Sequence, residues 1–150
     1  MVSARYTAIV AAITAGAILL ALYVPLATPT PGGSSSGPSN GSCKAPEGYT
    51  TIIADHSGFN GSVVHGAPKN PWPVITAHRG DTVKLLICNV DRVEAHGFAI
   101  DGYFDGGVTL RPGQTYSITF TADKAGSFPI FCNVFCTIHI YMRGMLVVTA

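Results

Sequence analysis

The sequence predicts an all-β head, a Greek-key β-sandwich or barrel, preceded by one N-terminal transmembrane helix. Three observations predict it. Residues 6–27 are apolar and uncharged, residues 28–42 are small and polar, and the remainder consists of short alternating segments separated by turn residues.

The apolar stretch, YTAIVAAITAGAILLALYVPLA, carries no charged side chain over residues 6–27. As a helix of about 33 Å it exceeds a bilayer's hydrocarbon core of about 30 Å. The apolar region of a cleaved signal peptide is shorter, about 7–15 residues, and no small-x-small cleavage site stands at the boundary. Residues 1–27 are therefore expected to form an uncleaved anchor. Arg5 and the amino terminus are the nearby positive charges, and the positive-inside rule keeps them cytoplasmic. The chain is then expected in the cell membrane as a single-pass protein, its C-terminal domain on the extracytoplasmic side. Residues 28–42, TPTPGGSSSGPSNGS, offer neither charge nor a large apolar side chain. They read as a flexible linker with a reach of about 20 Å.

The head, residues 43–150, is long enough for one ordinary core. TYSITFTA (115–122) sets Tyr116, Ile118 and Phe120 on one face and Thr115, Ser117 and Thr119 on the other. TVKLLICNV (82–90) alternates in the same way through Val83, Leu85 and Ile87. Further strands are expected at 50–55, 73–78, 97–101, 127–132 and 145–150. Turn chemistry separates them at His78–Asp81, Asp105-Gly106-Gly107, Arg111–Gln114 and Asp123–Gly126. Net charge is +1 and charged residues make up 11%, with no basic run, so nucleic acid is not an expected partner.

Chemistry concentrates in FCNVFCTIHIYMRGM, residues 131–145. Thiolate, imidazole and thioether are soft or borderline ligands, so Cys132, Cys136, His139 and Met142 favour copper or zinc over hard cations. They lie on a connection between two strands, at one end of the head, where a rigid scaffold can hold them. His96, in EAHGFAI, stands between two strand patterns and is expected at a sandwich end as well. His56, His65 and His78 lie in polar or turn-rich segments and read as solvated. Trp72 is expected to pack under a loop, and Met145 to fill core. Asp55, Asp101 and Asp105 are scattered among turns, and no nucleophile–base constellation or phosphate-binding glycine loop is visible. Cys43 and Cys88 stand apart from the loop, either as a disulfide or as buried thiols.

The stretch HGFAIDGYFDGGVTLRPGQTYSITFTADKAGSFPIFCNVFC resembles the cupredoxin domain of cytochrome c oxidase subunit II, in the single-anchor style of ba3-type oxidases. It also resembles the C-terminal domain of nitrous oxide reductase. The H-G-F start, the L-x-P-G-Q turn, the K-x-G before a strand and C-x3-C carry the likeness, which covers about residues 80–150. The resemblance implies a binuclear copper centre, CuA. Two cysteine sulfurs bridge two copper ions, each ion has one histidine, and a methionine and a backbone carbonyl are weak ligands. Carried over, the bridging thiolates are Cys132 and Cys136, the imidazoles His96 and His139, the thioether Met142 and the carbonyl that of Val134. One spacing departs. The family reads C-x3-C-x3-H-x2-M, whereas here one residue is missing between Cys136 and His139. That shorter spacing also occurs in mononuclear blue-copper proteins, so a single ion is the alternative to two. A Cys132–Cys136 disulfide or a Cys2His2 zinc site that includes His96 would be the non-redox readings.

The resemblance implies a membrane-tethered electron carrier, not catalytic alone. It would be subunit II of a haem-copper terminal oxidase, taking electrons from cytochrome c or a small copper protein and passing them to subunit I. A free-standing tethered cupredoxin, or a copper-delivery chaperone for oxidase assembly, are the alternatives.

Overall fold

Alternation of apolar and polar side chains builds two sheets in the structure, a computed structural model that describes residues 34–40 and 43–150. The strands are β1 (Ser34–Asn40), β2 (Thr50–Asp55), β3 (Gly58–Phe59), β4 (Val74–His78), β5 (Thr82–Asn89), β6 (His96–Ile100), β7 (Phe104–Leu110), β8 (Gln114–Thr121), β9 (Gly126–Phe131) and β10 (Arg143–Thr149). One sheet runs β1-β8-β5-β2-β3 and the other β4-β10-β9-β6-β7. The β2–β5 and β4–β10 pairs are parallel and the remaining pairs antiparallel. This is the expected all-β sandwich. The expected anchor, residues 1–27, lies outside the described residues. Among the described residues no helix is long and apolar enough to cross a membrane.

The inward faces follow the sequence pattern. Tyr116, Ile118 and Phe120 of β8 are buried, as are Val83, Leu85 and Ile87 of β5 and Leu146 and Val148 of β10. Met145 points to the other face of β10 and is half-buried, so the core position belongs to its neighbour Leu146. Phe59 of one sheet meets Phe98 of the other edge to face, with ring centroids 5.7 Å apart. Such a pair contributes about 0.5–1.5 kcal/mol beyond the area it buries.

β5 departs from simple alternation, because Leu86 and Cys88 on its second face are buried too. Cys88 is disulfide-bonded to Cys43, the two α-carbons lying 5.7 Å apart. The bond ties the first residues of the head to a central strand.

Two expectations are corrected. Residues 34–40 read as part of the linker, yet they form β1, antiparallel to β8. An edge strand needs only backbone partners, and the outer edge of β8 supplies them, so composition without apolar side chains does not forbid it. The register shifts between Ser36 and Ser39, placing Gly37 and Pro38 at the irregularity. A proline, lacking an N–H, is tolerated at such a break on an edge. Residues 28–33 and 41–42 of the expected linker lie outside the described residues. The second correction concerns Asp105-Gly106-Gly107, which read as a turn but lies within β7. The turn falls earlier, at Asp101–Tyr103, where the Gly102 N–H donates to Asp105 Oδ1 at 2.7 Å and the Tyr103 N–H to the Ile100 carbonyl at 3.2 Å.

Cys43 and Cys88 are separated by 45 residues, and closing a loop of that length removes about 4 kcal/mol of chain entropy from the unfolded state. Cys43→Ser is therefore expected to lower the urea midpoint by an amount matching a loss of about 2–4 kcal/mol. A midpoint equal to that of the wild type would contradict this.

Candidate metal centre

β9 ends at Phe131 and hands the chain to Cys132. The segment then folds back through a single 3-10 turn, His139–Tyr141. The turn is closed by backbone bonds from the Tyr141 N–H to the Ile138 carbonyl (2.8 Å) and from the Met142 N–H to the His139 carbonyl (3.3 Å). β10 starts directly after Met142, so both ends of the ligand-bearing loop are anchored in neighbouring antiparallel strands.

Within this loop the sequence-predicted groups converge. Cys132 and Cys136 are buried free thiols with sulfurs 3.8 Å apart. A disulfide needs about 2.05 Å, so the disulfide reading does not hold. Two sulfurs at this spacing can both touch one ion at a metal–sulfur length of about 2.3 Å. Met142 Sδ lies 3.6 Å from Cys136 Sγ and is fully buried. The Val134 carbonyl accepts from the Cys132 thiol at 3.0 Å and lies 2.8 Å from His139 Nδ1. Ligand atoms of Cys132, Cys136 and His139 all fall within 4.8 Å of one another.

His96 arrives from the other side. It opens β6 and is completely buried. The next residue, Gly97, donates its N–H to Cys132 Sγ at 3.2 Å, which brings β6 against the cysteine loop. That approach requires glycine. A Cβ at position 97 would stand 2.8 Å from the Asn133 nitrogen and 2.9 Å from the Val134 nitrogen, and would overlap the Asn133 side chain. His96 Nε2 is 3.2 Å from Asp91 Oδ2. With Nε2 carrying the proton toward the carboxylate, Nδ1 presents a lone pair. Nδ1 is buried and has no hydrogen-bond partner, alone in this among the side-chain nitrogens and oxygens of the described residues. A buried nitrogen without a partner is costly, and a metal ligand bond is what would satisfy it.

The family model of the multicopper oxidases matches residues 34–145. The chain belongs to the multicopper oxidase family. Nitrous-oxide reductases are among the relatives of this family member. That of Ralstonia nicotianae is 44% identical over 75 residues, covering 48% of this chain and 12% of the relative. That of Pseudomonas fluorescens is 38% identical over 100 residues, covering 65% of this chain and 16% of the relative. The chain thus spans a small part of the curated relatives it matches. In fold it is similar to the Cu-containing nitrite reductase of Thermus scotoductus, with TM-score 0.53 at 16% identity over 71% of this chain and 32% of that one. The copper nitrite reductase of Nitrosomonas europaea gives TM-score 0.53 at 25% identity over 67% and 41%. This multicopper oxidase family member is therefore a cupredoxin-like domain related to nitrous-oxide reductase, and its Cys132, Cys136 and His139 motif is consistent with a CuA-type site.

The donor set of this cupredoxin-like domain fits copper better than zinc. A thioether packed against a thiol is a soft donor that suits copper. Burial pushes the Cys136 thiol up to about 12, and the neighbouring Cys132 adds to the rise. In the metal-free protein that thiol keeps its proton at neutral pH, so metal binding releases it.

Several residues that shape the centre escaped the sequence reading. Asp91 is the clearest. Its Oδ1 accepts the N–H groups of Val93 (2.8 Å) and Glu94 (3.1 Å) while Oδ2 faces His96. The signal was local, an aspartate followed by two residues whose amides it could cap. Ser62 is buried in the β3–β4 connection, accepting from the Phe59 N–H (3.1 Å) and donating to the Tyr141 carbonyl (2.6 Å). It pins the 3-10 turn that carries His139. Trp72, expected to pack under a loop, is instead exposed and stacks on exposed His65 with centroids 4.0 Å apart. Its indole N–H donates to the Asn60 carbonyl at 3.0 Å and its backbone N–H to the Arg143 carbonyl at 2.6 Å, at the loop's exit.

The bonds from Val93 and Glu94, and then that from His96, lower the Asp91 carboxyl from 3.8 to about 2. A carboxyl depressed on folding stabilises fully above its unfolded value and loses that effect as pH falls through the folded one. The metal-free wild type is thus expected to lose stability between about pH 4 and pH 2, and Asp91→Ala to lose about 1–2 kcal/mol at neutral pH with a flatter acid limb. Urea unfolding at a series of pH values checks both, and parallel curves for the two proteins would contradict the assignment.

Proposed function

We propose that this chain is a copper electron-transfer domain in which Cys132 and Cys136, as thiolates, would hold two copper ions. His96 and His139 would supply the two imidazoles, Met142 a weak thioether and Val134 a weak carbonyl. The observation that carries the reading is the buried meeting of two free thiols 3.8 Å apart with a thioether 3.6 Å from one of them, beside a strand whose buried His96 Nδ1 has no partner.

Copper, when bound, supplies a one-electron couple. The chain's own groups set the conditions for it. Every position of the proposed site is filled by protein, whereas a catalytic metal keeps one position open. Both loop ends are fixed in the sheet, so the ligands are held in one geometry whichever oxidation state is present. Burial of Cys132, Cys136, His96 and Met142 favours keeping the metal over handing it on, which argues against a delivery chaperone. His139 is the more exposed of the two histidines and lies beside exposed Ile140 and Tyr141. Phe135, between the cysteines, is 94% exposed, and Val93 84%. Apolar side chains displayed around a buried redox site form a surface on which a partner can shed water and come close.

The wider assignment is part of the same proposal. The uncharged stretch at 6–27 supports a single-pass membrane tether with the head on the extracytoplasmic side. The resemblance to oxidase subunit II supports a haem-copper oxidase subunit I as acceptor, with cytochrome c or a small copper protein as donor. The head would pass electrons on without reducing oxygen itself. A second reading, a mononuclear carrier, is favoured by one observation, the two-residue gap between Cys136 and His139.

The full chain loaded with copper is expected to hold two ions and to give a seven-line hyperfine pattern in electron paramagnetic resonance. One ion with four lines would establish the mononuclear carrier instead, and failure to retain copper would remove both. Co-purification with a haem-bearing membrane subunit is expected if the oxidase assignment holds; isolation of the native chain without one would remove it. Phe135→Asp is expected to slow reduction by the donor several-fold with an unchanged hyperfine pattern, and an unaltered rate would exclude this surface as the point of approach.

A further inference from the structure

The gap between Cys136 and His139 holds two residues, Thr137 and Ile138, and Thr137 is exposed. Ile138 is partly buried against the core, whereas Thr137 faces outward. What fixes Thr137 comes from another loop. Glu94 Oε2 accepts both the Thr137 hydroxyl, at 2.7 Å, and the Thr137 N–H, at 3.3 Å. Glu94 is itself held at its backbone, its N–H by Asp91 Oδ1 at 3.1 Å and its carbonyl by Asn89 Nδ2 at 2.9 Å. Asn89 is buried in β5.

These bonds place the carboxylate two residues before His96 and against the residue that follows Cys136. We infer that Glu94 is a positioning residue that locks the shortened Cys136–His139 connection in register with the His96 side of the centre. The inference rests on the copper reading above and adds to it a residue outside the proposed ligand set. The physical argument concerns degrees of freedom. Pairing of β9 with β6 and β10 fixes the ends of the ligand loop, and the Gly97 N–H to Cys132 Sγ contact attaches its start to the His96 segment. The Glu94–Thr137 pair attaches the stretch beyond Cys136 to the same segment, removing freedom that anchored ends leave to the middle of a loop.

The test compares the full-length wild type with Glu94→Gln, Glu94→Ala and Thr137→Val. In the metal-free proteins, amide exchange at Thr137 is expected to accelerate in Glu94→Ala and to stay slow in Glu94→Gln, whose amide oxygen can still accept. With copper, Glu94→Ala is expected to bind roughly 10–100-fold more weakly and to show altered hyperfine splitting, with Glu94→Gln restoring both. Thr137→Val, which removes only the hydroxyl donor, should shift the splitting in the same direction and serves if Glu94→Ala does not fold. Wild-type exchange, affinity and splitting in Glu94→Ala would overturn the inference. Equal losses in Glu94→Gln and Glu94→Ala would overturn it too, because charge and not position would then be responsible. Should the wild type itself fail to bind copper, the metal reading falls, and exchange at Thr137 alone decides whether the clamp exists.

Discussion

Strand β6 and the cysteine loop touch through backbone, and the centre depends on that contact. At position 97 any side chain would drive the two apart, since a Cβ would lie 2.8–2.9 Å from two backbone nitrogens of the loop. With glycine there, the N–H reaches Cys132 Sγ and His96 is carried to the same end of the sandwich. Gly107 clears space in a related way from β7. Its φ is +56°, and a Cβ there would meet the Phe98 carbonyl at 2.8 Å and overlap Asn133. Asn133, one residue past Cys132, thus approaches the glycine positions 97 of β6 and 107 of β7. A donor aimed at a cysteine sulfur also stabilises negative charge on it, so the same contact that assembles the site tunes it.

Around this contact the fold reconciles two opposed demands. A redox metal needs a closed, dry cage, and a partner needs access within a short distance. The sandwich meets the first by treating Cys132, Cys136 and Met142 as core residues, in one apolar cluster with Phe98, Leu85 and Leu146. The loop's outer side, where Phe135 and Ile140 are exposed, is the surface proposed for the second. Ser62 and Trp72, from a connection far earlier in the chain, support the turn from outside.

Much of this was legible beforehand because the signals are local. Strands β5 and β8 follow from alternation, β2 and β10 from short apolar segments bounded by turn residues, and the donor atoms of Cys132, Cys136, His139 and Met142 from residue type and spacing. β7 was obscured because Asp105, Gly106 and Gly107 carry turn chemistry, and the physical reason for the glycines, room for Asn133, is not a local one. β1 was obscured because its stability lies in the backbone edge of β8, which no composition of residues 34–40 records.

By itself the sequence determined which atoms could bind a soft metal and that the head would be all-β, since donor chemistry and period-two burial are properties of residues and their near neighbours. Only the tertiary structure decided that the sulfurs stand 3.8 Å apart and unbonded, that Asp91 orients His96 and leaves Nδ1 without a partner, and that Glu94 reaches Thr137. Contacts such as Gly97–Cys132 and Glu94–Thr137 close over 35 and 43 residues of chain. They exist because two sheets bring those segments to one end, and nothing in the local pattern of either segment specifies the other.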